Sequence, residues 1–288
     1  MTPPESRRGA WADGLRLAVG MLSVLPAGMP SRVDRVVGGR AMVLAPAVGV
    51  LLGGIAAGVL ALAQVVQPDA ELLAAVLGVL VVAGLSGALH LDGLADFADA
   101  LGSRRDRETM LRIMKQSDIG PFGVVAIVGV LLVDVAALTA CIQAGFGWQA
   151  VLIATTASRL TLPWSCRTAI PGARPDGLGA LVAGTVRPLT ATLTTAAALG
   201  AALLLAWLSA PLATPSGAPL TADQVVSRHS PDVLLLAGTA AAVLLAVATS
   251  FATTRRARTA LGGTTGDVLG ATIELTLPVT LLTLALTA

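Results

Sequence analysis

The stretch ELLAAVLGVLVVAGLSGALHLDGLADFADALG, residues 71–102, joins an apolar run of about twenty residues to a segment rich in aspartate. If the second part is helical, Asp92, Asp96 and Asp99 lie at positions i, i+4 and i+7 and share one face within an arc of roughly 60°. Three carboxylates so placed repel one another, and each costs about 2.5–3.5 kcal/mol at the centre of a membrane span. A divalent cation offsets both effects, and Mg²⁺ held by carboxylates and substrate phosphates is the simplest candidate.

The composition places the chain among membrane proteins. Of its 288 residues, 55% are hydrophobic and 12% are charged, and the mean hydropathy is +0.82. These values predict an all-α, polytopic membrane bundle that forms a single domain over residues 1–288, and they exclude a soluble enzyme. The net charge of +2 is too small to indicate nucleic-acid binding. Cys141 and Cys166 have no metal-type spacing, which favours a structural role as small buried residues.

Seven apolar runs are long enough to cross a bilayer. They occupy residues 41–65, 72–90, 121–141, 148–166, 189–210, 233–252 and 268–287. The arginines and lysines outside these runs lie almost all on one side of the predicted membrane, with Arg228 as the exception. By the positive-inside rule this side is cytoplasmic, which predicts a multi-pass protein of the cell inner membrane. Residues 1–38 contain a run too short to span, which predicts an interfacial N-terminal helix.

Basic residues follow the aspartates directly. Residues 104–114, RRDRETMLRIM, predict an amphipathic segment at the membrane interface with a basic side facing phosphates. Arg104, Arg105, Arg112 and Lys115 are therefore candidate phosphate contacts. The alternative is that these charges are solvated and only set the topology.

A glycine-rich segment, LGGTTGDVLGA at residues 261–271, precedes the last apolar run. Its glycines, hydroxyls and Asp267 at a predicted helix start suit a phosphate–metal complex, with Gly263 and Thr264 as phosphate contacts. Two charged residues inside predicted spans, Asp134 and Arg159, indicate an interior site or an ion pair.

His90 precedes Asp92 by two residues, so on a straight helix it points about 160° away from that aspartate. It shares the aspartate face only if the helix starts or breaks near Gly93. Its imidazole suits a general base or a phosphate contact, and a histidine that caps a span at the interface is the alternative.

Four segments carry a resemblance to a known family. HLDGLADFADALG, IMKQSDIGPFG, SRL in the fourth apolar run and LGGTTGDVLGA, in that order and spacing, resemble the cobalamin synthase family, adenosylcobinamide-GDP ribazoletransferase. The similarity extends from PAVGVLLGG in the first run to the last helix. One difference lies at Gln116, where the family pattern has an acidic residue, and Asp118 follows two positions later.

The resemblance implies a Mg²⁺-dependent transferase of cobalamin biosynthesis at the cytoplasmic face. It would join α-ribazole, or its 5′-phosphate, to adenosylcobinamide-GDP and release GMP. Matching positions imply that Asp92, Asp96 and Asp99 are metal ligands, that Asp267 is a further ligand and that His90 is a base. The residues fit this chemistry independently, because a diphosphate substrate needs a metal ion and cationic side chains around its phosphorus atoms.

Two other classes of protein also present carboxylates in membrane helices. A CDP-alcohol phosphotransferase does so, but its signature has an arginine directly after the alanine, where this chain has Asp96. A proton- or cation-coupled transporter would hold its carboxylates near the bilayer midplane, where Asp134 and Glu274 are expected. The aspartates at 92–99 lie instead at the end of a predicted span, which favours the transferase.

Overall fold

The computed structural model describes residues 4–209 and 233–288, with side chains described from residue 9 onward. Within these ranges the chain forms helices joined by short turns, with two isolated β-bridges and no β-strand. The helices are α1 Pro4–Leu22, α2 Arg35–Val66, α3 Glu71–Leu85, α4 Leu89–Gly102, α5 Arg107–Ile113, α6 Pro121–Gln143, α7 Gly147–Ser165, α8 Gly177–Val182, α9 Pro188–Ser209, α10 Val233–Leu261 and α11 Gly266–Ala285.

The predicted class, an all-α polytopic membrane bundle, is confirmed. Among the described residues, five helices are long and apolar enough to cross a membrane: α2, α6, α9, α10 and α11. Helices α3 and α4 together form a sixth candidate, although the chain bends by 86° between them. Residue 210, the last of the fifth predicted run, and Arg228 lie outside the described residues.

The count of seven spans stays a prediction. Its fourth run corresponds to α7, a helix of 19 residues that is buried along most of its length. Helix α7 is less apolar than the five clear spans because it includes Gln149, the fully buried Arg159 and several hydroxyl side chains. A helix covered by its neighbours does not need an apolar surface against lipid.

The predicted end of the second membrane-spanning run was wrong. The run was expected to continue as one helix to residue 90, but α3 ends at Leu85 and α4 begins at Leu89. Between them Gly87 (φ 62°) and Ala88 (φ 55°) adopt left-handed backbone conformations, which no continuous α-helix allows. The aspartates therefore lie on a separate helix of 14 residues, called the aspartate helix below.

Helix α11 lies at the centre of the bundle and is the most buried of the candidate spans. It packs against α4, α6, α7 and α10, while α2 and α7 form another extensive helix pair. The N-terminal helix α1 packs along α2, and the Asp13 carboxylate at its middle accepts a hydrogen bond from the Ser31 backbone N–H (2.8 Å). The interfacial position predicted for residues 1–38 stays a prediction.

Candidate active site

The aspartate helix and the start of α11 meet backbone to backbone. A Cβ atom at Gly93 would lie 2.8 Å from the carbonyl oxygen of Asp267, and one at Gly270 would lie 3.1 Å from the Cα atom of His90. Only glycine allows this approach without displacing the partner helix. Gly93 and Asp267 are far apart in the sequence, and this close packing brings the two sequence motifs together in the fold.

Four carboxylate side chains lie near this helix crossing and are called the carboxylate group below: Asp92, Asp96, Asp99 and Asp267. Asp92 is exposed and Asp96 is half-buried on the same side of the aspartate helix. The negative charges of Asp267, Asp92 and Asp99 all act on Asp96, so these four residues lie near one another, while their predicted roles stay predictions. Like charges at such proximity repel, and a bound cation would relieve the repulsion.

Asp267 is fixed at the first turn of α11. Its Oδ2 atom accepts a hydrogen bond from the Thr265 hydroxyl (3.2 Å) and lies 3.8 Å from Nη1 of Arg174. Thr265 also accepts a hydrogen bond from the Val268 N–H and so caps the helix. The positive charge of the Arg174 guanidinium attracts the negative charges of both Asp267 and Asp96.

Asp99 has partners that the sequence analysis did not predict. Its Oδ2 atom accepts a hydrogen bond from the Gly120 N–H (2.7 Å), and its Oδ1 atom accepts one from the Gly123 N–H (2.9 Å). These amides belong to the free N–H groups at the start of α6, which an anionic acceptor stabilises. Asp99 therefore anchors α6 to the aspartate helix, and its predicted role as a metal ligand stays a prediction.

The carboxylate group suits Mg²⁺ by its chemistry rather than by a preformed cage. In the part of the chain that the structure describes, no three His, Cys, Asp or Glu side chains converge closely enough to hold a metal ion. Mg²⁺ does not need such a cage, because it binds through one or two carboxylates, substrate phosphates and water. Asp118, which follows the unusual Gln116, is exposed in the turn before α6.

The glycine-rich segment is held by the loop at 167–188. The Thr264 N–H donates to the Pro171 carbonyl (2.9 Å), and the Thr264 carbonyl accepts from the Ala173 N–H (2.9 Å). Gly263 packs against the backbone of residues 171–173, where a side chain would not fit. Thr264 was predicted to contact phosphate. Its backbone N–H already donates to the Pro171 carbonyl, so this N–H is not free to bind a phosphate.

The predicted basic residues are all exposed. Arg104, Arg105 and Arg112 are exposed, and Arg112 donates to the Thr109 hydroxyl (3.1 Å). Lys115 lies 3.9 Å from Asp176 in an exposed ion pair. A cleft of about 290 Å³ joins this lysine to the first turn of α11, with Lys115, Arg174, Asp176, Thr264, Thr265 and Asp267 in its lining.

Arg174 is the functional candidate that the sequence analysis did not single out. It is mostly buried, donates to the Leu111 carbonyl (2.7 Å), and has an Nε atom without a hydrogen-bond partner. Arg107 supports the same loop by donating to the Ala173 carbonyl (3.0 Å). The only sequence signal was the concentration of glycine, proline and arginine in residues 167–188, which does not identify one arginine.

His90 lies on the inner side of the aspartate helix. It is 5% exposed, and its Nδ1 atom is 3.8 Å from Oε1 of Glu274. Arg159 and Asp134 are fully buried in the same interior, as their positions inside predicted spans indicated. Both nitrogens of His90 and both carboxylate oxygens of Asp134 lack hydrogen-bond partners. Buried polar atoms of this kind usually have a partner, so these two side chains are exceptions in the described part of the chain.

The fold and the site together define a polytopic helical membrane protein with carboxylates and cationic side chains gathered around the start of one helix. Residues 14–285 match the family described as cobalamin-5-phosphate synthase, and the chain belongs to this family. The resemblance noted from the four sequence segments is thereby confirmed. This membership favours the transferase over the CDP-alcohol phosphotransferase and the transporter.

Curated relatives agree with the family assignment. Proteins named adenosylcobinamide-GDP ribazoletransferase from Frankia casuarinae and Nocardioides sp. are 41% and 36% identical to this chain over 279 and 270 residues. The alignments cover 94% of this chain in both cases, and 94% and 97% of the two relatives. A third protein of that name, from Ectopseudomonas mendocina, is 37% identical and covers 94% of this chain and 98% of its own length. No solved structure matches the chain significantly.

Proposed function

We propose that this chain is an adenosylcobinamide-GDP ribazoletransferase, the activity named for its relatives. It joins α-ribazole, or the 5′-phosphate of α-ribazole, to adenosylcobinamide-GDP and releases GMP. The observation that carries the proposal is the meeting of the aspartate helix and the glycine-rich segment, where the charges of Asp92 and Asp267 act on Asp96 and Arg174 reaches Asp267.

The transfer is a displacement at phosphorus. A ribose hydroxyl of the acceptor attacks the phosphate attached to cobinamide, a new P–O bond forms, and the bond to the bridging oxygen breaks. GMP leaves with that oxygen. The proton of the hydroxyl passes to a carboxylate of the group, of which Asp92 is the most exposed. His90, predicted as the base, lies buried beside Glu274, so the proposal does not use it to remove this proton.

The metal ion of the proposal is Mg²⁺, which one or two of the carboxylates of Asp92, Asp96 and Asp267 would hold together with substrate phosphates and water. When bound, it would neutralise charge on the diphosphate and so stabilise the transition state. Asp99 is not assigned as a ligand in this proposal because each of its oxygens already accepts a backbone hydrogen bond from the start of α6, and its predicted ligand role stays a prediction.

Cationic side chains bind the diphosphate oxygens. Arg174 fits this role because it lines the cleft at the first turn of α11 and its Nη1 atom lies 3.8 Å from Asp267. Lys115 lines the same cleft and can exchange Asp176 for a phosphate. Arg104, Arg105 and Arg112 are exposed nearby in sequence and contribute to attracting an anionic substrate.

The site faces the cytoplasm in this proposal. The support is the distribution of arginines, because the loops that build the site also hold most of the positive charge. The lipid bilayer is accordingly the inner membrane of the cell, and the whole chain acts as one membrane-embedded catalytic domain.

The test is a turnover assay on the purified protein in lipid nanodiscs. Adenosylcobinamide-GDP and α-ribazole are supplied with Mg²⁺ or with EDTA, and both GMP and the joined corrinoid product are quantified. We expect equal amounts of the two products, formed only with Mg²⁺. A folded protein that forms neither product in Mg²⁺ would refute the activity, and equal rates in EDTA would refute the metal requirement.

A further inference from the structure

A pocket of about 770 Å³ lies where the C-terminal ends of α7 and α10 meet, and it is called the arginine pocket below. Neither the carboxylate group nor the cleft beside Asp267 shares a residue with it, and the proposed transfer uses none of its side chains. Its lining consists of Arg167, Phe251, Ala252, Arg255, Arg258 and Thr259.

The three arginines of this pocket have no acidic partner. Within residues 9–209 and 233–288, no carboxylate lies within ion-pair distance of Arg167, Arg255 or Arg258. The positive charge of Arg258 acts instead on Arg167. Like charges gathered in this way repel, so an anion bound between them would be stabilised.

Arg167 is held in place at the edge of the pocket. Its Nη1 atom donates to the Trp164 carbonyl (2.7 Å), and its guanidinium carbon lies 4.2 Å from the centre of the Phe251 ring. A cation over an aromatic face is attracted by the ring electrons. The guanidinium is therefore oriented by the protein before any anion binds.

The length of α10 places this pocket at the level of lipid headgroups. The helix has 29 residues, or about 44 Å, whereas the hydrocarbon core is about 30 Å thick. Arg255 is the first charged residue of α10, and everything before it in the helix is apolar, small or hydroxylated. Arg255 and Arg258 follow Phe251 by about 6 and 10 Å along the helix axis.

Aromatic side chains mark the same level. The rings of Phe251 and Trp164 lie 5.3 Å apart, and the Trp164 indole N–H donates to the Thr195 hydroxyl at the start of α9 (2.9 Å). Tryptophan is enriched at the boundary between lipid and water. Phe251 is 42% exposed, so the pocket combines an accessible apolar ring on the lipid side with arginines on the water side.

We propose that the arginine pocket binds the phosphate of an anionic membrane phospholipid. The phosphate contacts Arg167, Arg255 and Arg258, and the glycerol backbone and first acyl carbons lie against Phe251. A phospholipid fits this lining better than a soluble phosphate compound, because it presents a phosphate and an apolar part at these two depths. Basic pockets between membrane helices bind lipid headgroups in this manner.

A lipid in this pocket would connect two segments that build the carboxylate site. Arg167 begins the loop at 167–188, which holds the glycine-rich segment through Thr264. Arg258 lies in the last turns of α10, and its carbonyl accepts a hydrogen bond from the N–H of Gly262 (3.1 Å). Neutralising the repulsion between Arg167 and Arg258 should therefore stabilise the contact between loop and helix.

Arg256 provides a matched control on the same helix. It is exposed, as Arg255 and Arg258 are, but it does not line the pocket and points about 160° away from Arg258. Membrane topology alone requires positive charge at this end of the helix, whichever face carries it. Arg256→Gln and Arg258→Gln therefore remove the same charge at the same depth, and only Arg258→Gln alters the proposed site.

The experiment places the full chain in nanodiscs of equal parts phosphatidylcholine and phosphatidylglycerol, and native mass spectrometry identifies the lipids that stay bound. We expect the wild type and Arg256→Gln to retain one phosphatidylglycerol in preference to phosphatidylcholine. Arg258→Gln and Arg167→Gln should each weaken this binding about tenfold or more, because a charge-assisted contact is lost.

Melting temperatures separate loss of the lipid from loss of the fold. In phosphatidylcholine alone, Arg258→Gln should melt at or above the wild-type temperature, because it removes the repulsion with Arg167. Phosphatidylglycerol should raise the melting temperature of the wild type and of Arg256→Gln but not that of Arg258→Gln.

Several results would overturn the proposal, and two of them need no variant. These two are a wild type without preference for phosphatidylglycerol, and displacement of that lipid by excess GDP or inorganic phosphate, which would assign the pocket to a soluble phosphate compound. Equal weakening by Arg256→Gln and Arg258→Gln would show attraction by surface charge without a site. None of these readouts depends on turnover, so they test the lipid site even if the proposed transfer activity fails.

Discussion

Replacing Asp99 by Asn separates a structural aspartate from the proposed ligands on the same helix. The carboxylate of Asp99 accepts N–H groups from Gly120 and Gly123 at 2.7 and 2.9 Å. Asn can accept only one of them and turns an NH₂ group toward the other. A hydrogen bond to a charged group contributes about 1.5–3 kcal/mol, and a negative charge at a helix N-terminus adds about 0.3–1 kcal/mol. We expect Asp99→Asn to lower the free energy of unfolding by about 2–3 kcal/mol.

The matched control is Asp96→Asn, one turn earlier on the aspartate helix. Asp96 makes no hydrogen bond or ion pair in the described part of the chain, and three other carboxylates repel its negative charge. Its removal should therefore leave stability unchanged or raise it, while turnover falls. Unfolding in SDS and thermal melting, measured beside Mg²⁺-dependent turnover, compare the two variants. If Asp99→Asn is as stable as the wild type and loses Mg²⁺ dependence as Asp96→Asn does, then Asp99 is a ligand and the structural assignment is wrong.

Three further predictions follow from the site and the topology. Asp267→Asn should lower turnover and weaken the Mg²⁺ dependence with little change in melting temperature, and a variant with full activity and an unchanged metal requirement would leave this residue a structural role. Gly93→Ala should lower both turnover and stability because the added Cβ would lie 2.8 Å from a carbonyl oxygen of α11, whereas Gly54→Ala, with no atom within 4 Å, should be tolerated in both assays. Cysteines placed at Arg104 and Arg256 should be labelled from the same side of the membrane, and labelling from opposite sides would contradict a single site built from these loops.

Much of the helical architecture was predictable because the bilayer restricts the choice. Apolar runs of about twenty residues have few structural options in a membrane, and a helix lies at each of the seven predicted positions. The break between α3 and α4 was not predictable from hydropathy. Serine, glycine and alanine are common inside apolar helices, and the left-handed conformation of Ala88 depends on packing rather than on residue type.

The candidate site was predictable in its chemistry but not in its contacts. The spacing of Asp92 and Asp96 indicated a shared face, and the motif around Asp267 indicated a second part of the same site. The partners of Asp99 lie 21 and 24 residues away, and local periodicity does not report such pairings. Arg174 was missed for the same reason, because its proximity to Asp267 arises from the pairing of two loops.

The assignment of the transfer to the carboxylates at the helix crossing is tested most directly by GMP release from Asp96→Asn. The control is Asp69→Asn, an exposed aspartate in the turn between α2 and α3. With adenosylcobinamide-GDP, α-ribazole and Mg²⁺, we expect the control to match the wild type and Asp96→Asn to be slower by several orders of magnitude, at an unchanged or higher melting temperature. GMP release by Asp96→Asn at the wild-type rate would contradict the assignment.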